Sequence, residues 1–298
     1  MVKHIHVIIN PATRQDRPLL GILNSQFHSA GIDWDVFITK KVGDARRLAQ
    51  ASALAGVDAV AVYGGDGTVM EAASGLVGTE VPLAIFPGGT ANVLSVELGI
   101  PGDLTEACAL ACSGRSAVRR VDLGQVGGDH FLLSVGVGFA ATVIEGADRE
   151  LKNRFGMLAY WLSGFQALRE PAMARYRLTL DGQQIDTEGI TCMIANSGNL
   201  GQLGLKLSPS INVSDGLLDV IVLRRGDLGS FLSVAAHVVA GNDAAEPIQH
   251  WQAREISLIV DPPQTVQIDG EILGKAPLHV RVMPQAARII VPGNTSWR

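Results

Sequence analysis

The sequence predicts an α/β domain built on a parallel sheet, followed by a second, mainly antiparallel β domain. In about the first 120 residues, short apolar segments alternate with helical segments, which is typical of a parallel sheet covered on both faces. From Asp122 onward, apolar residues recur at every second position, which favours antiparallel strands. A chain of 298 residues has room for two moderate domains with substantial cores.

The first domain is predicted to alternate strand and helix along the chain. Its strands are short, apolar and rich in β-branched residues, as buried parallel strands are. They are predicted at residues 4–9, 33–38, 57–63, 82–86 and near 118–121. The helices between them include Asp44 to Leu54 and Leu104 to Cys112.

The second domain is predicted from segments of period-two alternation. Its strands are predicted at residues 131–135, 175–180, 191–195, 218–223, 266–269, 278–282 and 288–291. Helices near residues 154–168 and 228–239 are expected to interrupt them. Alternation of this kind indicates sheets with one face in a core.

Composition narrows the class of protein. Apolar residues make up 47% of the chain, which is a globular composition. The formal net charge of −5 argues against a broad nucleic-acid-binding surface, so no nucleic-acid partner is expected. No apolar run reaches the length of about twenty residues that spans a bilayer, and the chain starts almost directly with a strand, leaving no space for a signal peptide. A cytoplasmic protein is expected.

The most informative motif is the glycine turn Gly64-Gly65-Asp66-Gly67-Thr68, which follows the predicted strand 57–63. Glycines allow positive φ and let a bulky ligand approach the main chain. Thr68 is predicted to cap a helix over residues 69–76, and the N-terminus of such a helix favours phosphate. Asp66 could hold a cation or the polar end of a nucleotide, although glycines in such a turn can also be purely structural.

A second turn of the same kind, Pro87-Gly88-Gly89-Thr90-Ala91-Asn92, follows the next predicted strand. Turns on successive parallel strands lie side by side at the carboxyl edge of the sheet, where open α/β folds bind ligands. Each turn alone is weak support for phosphate binding. Together they favour nucleotide binding, with Gly65, Gly67, Thr68 and Thr90 as the first candidates to cradle phosphate.

These turns resemble the catalytic domain of the diacylglycerol kinase family, and most closely its bacterial branch of soluble lipid kinases. Other segments match that family in order and spacing. They are Ile8-Ile9-Asn10-Pro11, Thr39 with Gly43-Asp44-Ala45, Val121-Asp122-Leu123-Gly124, Asp215-Gly216-Leu217-Leu218-Asp219-Val220 and Asp269-Gly270-Glu271. The resemblance implies that the last strands return to the first domain. The predicted domains are therefore residues 1–122 with a return segment at about 285–298, and residues 123–284.

The resemblance implies an ATP-dependent lipid kinase that uses Mg²⁺, with its active site in the cleft between the domains. The implied nucleotide-binding residues are Asn10, Thr39, Gly64, Gly65, Asp66, Gly67, Thr68, Glu71, Gly89, Thr90 and Asn92. Asp66 is implied to act at the Mg²⁺–phosphate end. Thr39 could equally be a hydroxyl at the end of a strand.

Glu271 is the candidate for the residue that removes the acceptor's proton. An Asp-Gly turn is common in hairpins, so Asp269 and Gly270 could simply make the turn, but that interpretation does not account for Glu271. In the family that the chain resembles, the glutamate at this position is the general base. A carboxylate beside a hydroxyl can contribute about 10²–10⁴-fold as a base.

The loop from Asn212 to Leu217 is rich in oxygen ligands and contains a glycine, which suits a hard cation such as Mg²⁺. The resemblance places a second, structural Mg²⁺ here, held by the Asp215 carboxylate and by the carbonyls of Asn212 and Leu217. An ordinary Asp-Gly turn is the alternative.

A lipid acceptor needs an apolar surface beside the active site, and the aromatic-rich segment Arg154 to Phe165 is the candidate for it, although core packing explains most of its composition. The protein is expected to contact membranes only transiently.

Two other functions remain open: a soluble kinase of the NAD kinase type, which has a similar glycine turn, and a nucleotide-binding regulator without turnover. Gly89-Thr90-Ala91-Asn92 and Asp269-Gly270-Glu271 favour the lipid kinase over the first, and Asp66 with Glu271 argues against the second.

Overall fold

The structure is a computed structural model that describes residues 2–13, 18–138, 173–199, 207–224 and 248–293. Contacts between backbone positions divide the chain into two units. The first unit is Met1–Val121 with Gln285–Arg298, and the second is Asp122–Pro284. Within the described ranges, every helix is too short or too polar to span a lipid bilayer.

The first unit alternates strand and helix, as the sequence predicts. Its elements are β1 (His4–Ile9), α1 (Leu19–Ala30), β2 (Asp33–Ile38), α2 (Asp44–Leu54), β3 (Ala59–Gly64), α3 (Asp66–Leu76), β4 (Leu83–Pro87), α4 (Val93–Glu97), α5 (Leu104–Cys112) and the first part of β5 (Ser116–Val126). The last strand of the chain, β16 (Leu278–Pro292), adds its later residues to this unit.

The strand order in this unit is β2-β1-β3-β4-β16, and the neighbours pair in parallel. The central strands β3 and β4 are buried along their whole length, which explains their continuous apolar sequence. β1 presents Ile5, Val7 and Ile9 to a core that includes side chains of α1 and α5. On its other face His6 contacts Ser52 of α2, and α2 packs against α3. Helices therefore cover both faces.

The second unit is built from the later part of β5 and the remaining strands. They are β6 (Asp129–Phe131), β7 (Ser134–Gly138), β8 (Ala174–Leu180), β9 (Gln183–Gly189), β10 (Thr191–Ala195), β11 (Leu218–Leu223), β12 (Ile248–Ala253), β13 (Glu255–Asp261), β14 (Thr265–Ile268), β15 (Glu271–Lys275) and the first part of β16. One sheet has the order β12-β11-β10-β7-β14-β15, and another run of strands has the order β16-β13-β8-β9. Their pairings are antiparallel, as predicted.

Alternation along these strands fills one core. In β8, the residues Ala174, Tyr176, Leu178 and Leu180 are buried while the residues between them are more exposed. They pack in a cluster with Val135, Val137 and other apolar residues of the unit. The period-two pattern in the sequence reflects the division of each strand between a buried face and a solvent-exposed face.

The single strand predicted over residues 131–135 is wrong, because the chain changes partner strands there. Phe131, in β6, pairs with Gly124, whereas Ser134, in β7, pairs with Ala195. The backbone amides of Leu132 and Leu133, between the two strands, donate to the Asp269 carboxylate instead of to a strand.

The two strands predicted at residues 278–282 and 288–291 are one continuous strand, β16. Its first part pairs with β13 up to Arg281, and Ile289 pairs with Leu83 of β4. The segment between the two apolar stretches contains Pro284, which argues against a continuous strand in the sequence, and it is followed by Gln285 with positive φ (56°). The helices predicted near residues 154–168 and 228–239, and the segment Arg154 to Phe165, lie outside the described residues.

Candidate functional site

The ends of the parallel strands bring the predicted nucleotide-binding residues to one edge of the first unit's sheet. Ile9 of β1 lies opposite Ile38 of β2 and Tyr63 of β3, and Gly64 lies opposite Pro87 of β4. The residues that come next on these four strands are Asn10, Thr39, Gly65 and Gly88. This carboxyl edge is where open α/β sheets bind ligands.

The two glycine turns lie against each other, as their positions on successive strands predict. The amide of Gly88 donates to the carbonyl of Gly64 at 2.9 Å. A Cβ atom added to Gly89 would lie 2.6 Å from the Cα of Gly65, which is closer than real Cβ atoms approach a neighbour. Glycine at position 89 is therefore needed for the backbone of the second turn to approach the first.

Gly89→Ala is expected to destabilise the first unit, because the new methyl group meets rigid backbone and cannot be relieved by rotating a side chain. Overpacking of this kind costs about 1–3 kcal/mol. Gly67→Ala is the matched control, since a Cβ there meets nothing within 4 Å. Urea denaturation of both variants measures the difference, and equal midpoints would contradict the close approach of the turns.

The helix after the first turn begins at Asp66, so the prediction that Thr68 caps it is wrong. Gly65 is the N-cap residue, with extended backbone (φ −89°, ψ −178°), and its carbonyl accepts from the amide of Val69 at 3.1 Å. No side chain caps α3 from that position. An N-terminus without a side-chain cap, next to glycine backbone, is suited to an anion such as phosphate.

Asn10 connects the first strand to the glycine turn. Its Nδ2 donates to the Thr68 hydroxyl at 2.9 Å, and its Oδ1 accepts from the amide of Ala12 at 3.0 Å. Its own amide donates to the carbonyl of Tyr63 at 3.0 Å. Asn10 and Thr68 therefore fix the relative positions of the loop after β1 and the first turn of α3.

Asp66 and Asn92 hold the second turn in place. The Asp66 Oδ1 accepts from the amide of Leu94 at 3.4 Å, which ties α3 to the start of α4. Asn92 has a left-handed backbone (φ 47°), and its side chain accepts from the amide of Gly89 at 2.9 Å and donates to the carbonyl of Gly89 at 2.8 Å. Gly67 and Thr90 are exposed at the same edge.

Glu71, one turn into α3, binds the backbone at the start of the neighbouring helix α2. Its two carboxylate oxygens accept from the amides of Gly43 (2.9 Å) and Ala45 (3.1 Å) at the start of α2. In the same loop the Asp44 carboxylate accepts from the amide of Lys40, which is the main cause that lowers the pKa of Asp44. Glu71 thus shapes the loop that follows β2.

Thr39 is buried at the end of β2. Its amide donates to the carbonyl of Ile9 at 3.0 Å, and its hydroxyl approaches the same carbonyl at 3.5 Å. The structure therefore brings Thr39 to the edge shared with Asn10 and the glycine turns, in a position where it links β2 to β1.

Glu271 is the first residue of β15 and is exposed. The turn before it has positive φ at both Asp269 (46°) and Gly270 (93°), as a two-residue type I′ hairpin requires. The Asp269 carboxylate accepts from three successive amides, those of Leu132 (2.9 Å), Leu133 (3.0 Å) and Ser134 (2.9 Å). The hairpin that carries Glu271 is therefore anchored to the strand beside it.

The predicted metal-binding loop encloses a buried carboxylate. The Asp122 Oδ2 accepts from the amide of Gly216 at 2.6 Å, and the amide of Asp122 donates to the carbonyl of Val213 at 2.7 Å. Within the loop the Asn212 and Asp215 side chains accept from the amides two residues further on.

Negative charge is concentrated at this loop. Desolvation is the main cause that raises the pKa of Asp215, and the nearby carboxylates of Asp219 and Asp122 raise it further. Leu217, whose carbonyl is a predicted ligand, is half-buried beside them. A concentration of carboxylates and carbonyls is the donor set that a hard divalent cation prefers.

Sequence reasoning assigned no site role to Asp122 or to the Asp269 carboxylate. Their amide partners lie 94 and up to 137 residues away in the chain, so no local pattern reveals them. An aspartate in an Asp-Gly turn is explained by the turn alone, which hides its second role.

Two family models match the chain and together cover most of it. Residues 4–126 match the diacylglycerol kinase catalytic domain. Residues 133–291 match the YegS C-terminal domain, which is described as NAD kinase beta sandwich-like. The order of the two models is the order of the α/β and antiparallel units.

Two of three similar curated proteins carry kinase names. The chain is 28% identical to a diacylglycerol kinase of Bacillus subtilis over 98% of this chain and 97% of that protein. It is 34% identical to a probable YegS-like lipid kinase of Pseudomonas aeruginosa over 89% of this chain and 87% of that protein. It is also 34% identical to an uncharacterised protein of Synechocystis over 78% of this chain, which spans about half (54%) of that relative's length.

A solved structure agrees with these matches. The crystal structure of a putative diacylglycerol kinase from Bacillus anthracis superposes with a TM-score of 0.83 at 29% identity, over 97% of this chain and 95% of that chain. Both family models, the two kinase-named relatives and this structure indicate the same family. The chain therefore belongs to the family of lipid kinases that combine a diacylglycerol kinase catalytic domain with a YegS C-terminal domain.

Proposed function

We propose that this protein transfers the γ-phosphoryl group of ATP to a hydroxyl of a diacylglycerol-like or related lipid. The observation that carries the proposal is the pair of glycine turns in backbone contact, next to the uncapped N-terminus of α3 and the Asp66 carboxylate. The close approach of Gly65 and Gly89 brings the backbone of both turns together at one edge of the sheet, next to that helix end. This fits a nucleotide phosphate group.

Bound ATP with Mg²⁺ would supply the phosphoryl group and the charge neutralisation that its transfer needs. On this proposal the amides of the first turn of α3 hold phosphate oxygens, with Thr90 and the exposed Gly67 beside them. Asp66 lies at the same helix end, where its carboxylate is suited to the cation. Asn10, Thr39, Glu71 and Asn92 position these groups through the hydrogen bonds described above.

Glu271 is proposed as the general base that accepts the proton of the lipid hydroxyl. Its exposure leaves the carboxylate open to a substrate, and the anchoring of the hairpin by Asp269 limits its movement. A rigidly held base is more effective than a mobile one because less ordering is needed in the transition state.

A second, structural Mg²⁺ is proposed at the loop of Asn212, Asp215 and Leu217. The proximity of the Asp215, Asp219 and Asp122 carboxylates supports it, because a cation there would relieve the repulsion between them. Asp215 would supply its carboxylate, and Asn212 and Leu217 their carbonyls.

The acceptor is proposed from the relatives, two of which are named as lipid kinases or diacylglycerol kinases. A lipid acceptor lies in a membrane, so the protein is proposed to contact a membrane surface transiently and otherwise to be cytoplasmic. The NAD kinase-like description of the second unit's family model favours NAD as the acceptor to test against lipids.

Incubating the full chain with radiolabelled ATP, Mg²⁺ and mixed micelles is expected to label a diacylglycerol-like lipid in preference to NAD. Micelles of a panel of lipids, each presented at the same surface fraction, would identify the acceptor class. Labelling of NAD in place of every lipid would overturn the lipid assignment. Labelling of no acceptor, with ATP bound, would point to a regulator without turnover.

A further inference from the structure

Two histidines and an aspartate meet on the face of the first unit's sheet that packs against α2. His4 and His6 are two positions apart on β1, so their side chains lie on the same face. Asp35 of the neighbouring β2 is paired with His6 in the parallel register. The three side chains are thus brought together by regular strand geometry and not by a flexible loop.

The distances between these groups suit a single ion. The Asp35 Oδ2 lies 3.0 Å from the Nε2 of His4 and 3.5 Å from the Nε2 of His6. One ligand atom from each residue lies within 4.8 Å of the others. Bonds of about 2.0–2.1 Å to a tetrahedral Zn²⁺ place neighbouring ligand atoms about 3.3–3.4 Å apart, which is between the two measured distances.

The imidazole ring of His6 is held in a fixed orientation, as the rings of metal-binding histidines usually are. Its Nδ1 is hydrogen-bonded to the Ser52 hydroxyl of α2 at 2.8 Å, which leaves Nε2 directed to Asp35. Histidine ligands usually have such a partner on the second ring nitrogen, because it fixes the ring and the tautomer.

Other histidine–carboxylate pairs in the described ranges do not share this arrangement. His279 approaches Glu255 at 3.2 Å, and His250 approaches Asp219 at 2.6 Å, each pair having one imidazole. At Asp35 two imidazoles converge on one oxygen, with their ring centroids 5.0 Å apart. Two histidines at one carboxylate form a ligand set that borderline transition metals prefer.

We infer that His4, His6 and Asp35 form a binding site for a divalent transition-metal ion, with Zn²⁺ as the best match. Three protein ligands leave a fourth tetrahedral position for water, and the side chains of His4 and Asp35 are 43% and 61% exposed, so an ion can enter. The bound ion would join the edge strand β2 to β1.

This site is separate from the proposed nucleotide site. His4 is the first residue of β1 and Asn10 follows its last, so they are about 20 Å apart along the strand at a rise of about 3.3 Å per residue. Zinc binding therefore does not depend on the proposed kinase activity. Mg²⁺ prefers oxygen ligands in octahedral geometry and is not expected to compete here.

Titration of the full chain with Zn²⁺ against a chromogenic chelator, in excess Mg²⁺, is expected to show one tight site per chain. His4→Ala and Asp35→Asn, both at partly exposed positions, should each weaken it at least tenfold. Ser52→Ala is expected to weaken it by about tenfold through the orientation of His6. Co²⁺ in place of Zn²⁺ should give the intense visible absorption of a four-coordinate site.

His279→Ala is the matched control, since it removes an imidazole from a histidine–carboxylate pair on another exposed strand. Its Zn²⁺ affinity should equal that of the unaltered protein. The site would be refuted if the unaltered protein bound no Zn²⁺ in the presence of the chelator. It would also be refuted if His4→Ala and Asp35→Asn bound Zn²⁺ as tightly as His279→Ala.

Discussion

Glu271→Gln is expected to lower the turnover of lipid phosphorylation by about a hundredfold or more while ATP affinity stays nearly unchanged. Glutamine keeps the size and hydrogen-bonding reach of the side chain but cannot accept a proton at neutral pH. A hundredfold loss corresponds to about 2.7 kcal/mol in the activation barrier. Steady-state rates on the best lipid acceptor, with ATP binding measured separately, test this expectation.

Glu255→Gln provides the matched control for this experiment. It makes the same substitution at an exposed glutamate of β13 in the same unit, and it should leave turnover unchanged. A loss of tenfold or less in Glu271→Gln would mean that the proton leaves by water or another group. A large loss of ATP affinity would instead place Glu271 at the nucleotide's metal.

Asp66→Asn is expected to lower phosphoryl transfer by a factor on the order of 10² or more, because the anionic ligand proposed for the Mg²⁺ at the phosphates is lost. Asparagine retains a side-chain oxygen that can accept from the amide of Leu94, so the connection between α3 and α4 survives. Asp66→Ala removes that acceptor as well. Comparing the two variants therefore separates the effect of the lost charge from the effect of the lost hydrogen bond to Leu94. Rates and thermal unfolding of both variants provide the measurement.

Asp103→Asn is the control for the same chemical change elsewhere in the first unit. Asp103 caps α5 by accepting from the amides of Thr105 and Glu106, and asparagine is an equally good N-cap residue. The Asp103→Asn variant should keep the phosphoryl-transfer rate and the thermal unfolding midpoint of the unaltered protein. Unchanged transfer by a folded Asp66→Asn protein would refute the assignment of Asp66 to the nucleotide site.

Local sequence patterns were sufficient for most of the first unit. The strands His4–Ile9 and Asp33–Ile38 and the helices Asp44–Leu54 and Leu104–Cys112 have the bounds that the sequence predicts. The strands are short and rich in apolar residues, and each helix is preceded by a glycine (Gly43) or a capping aspartate (Asp103). In such segments local propensity and burial favour the same structure.

Contacts between distant residues limited the prediction elsewhere. Residues 131–135 have a continuous apolar pattern, yet the Asp269 carboxylate takes the amides of Leu132 and Leu133 and divides the segment between two strands. Similarly, the Thr68 hydroxyl accepts from Asn10 instead of capping α3. Neither of these hydrogen bonds can be recognised from a short stretch of sequence, because the partners are far apart in the chain.

The sequence by itself determined the fold class, the two glycine turns and the position of Glu271 directly after an Asp-Gly turn, since each depends on residues that are neighbours in the chain. Only the tertiary structure decided that Gly65 and Gly89 are in backbone contact and that Asp122 lies within the loop 212–217. It also decided that His4 and His6 share a carboxylate oxygen of Asp35. Pairing of strands and burial of polar groups bring such residues together, and the pairing is fixed by the whole core, not by any one segment.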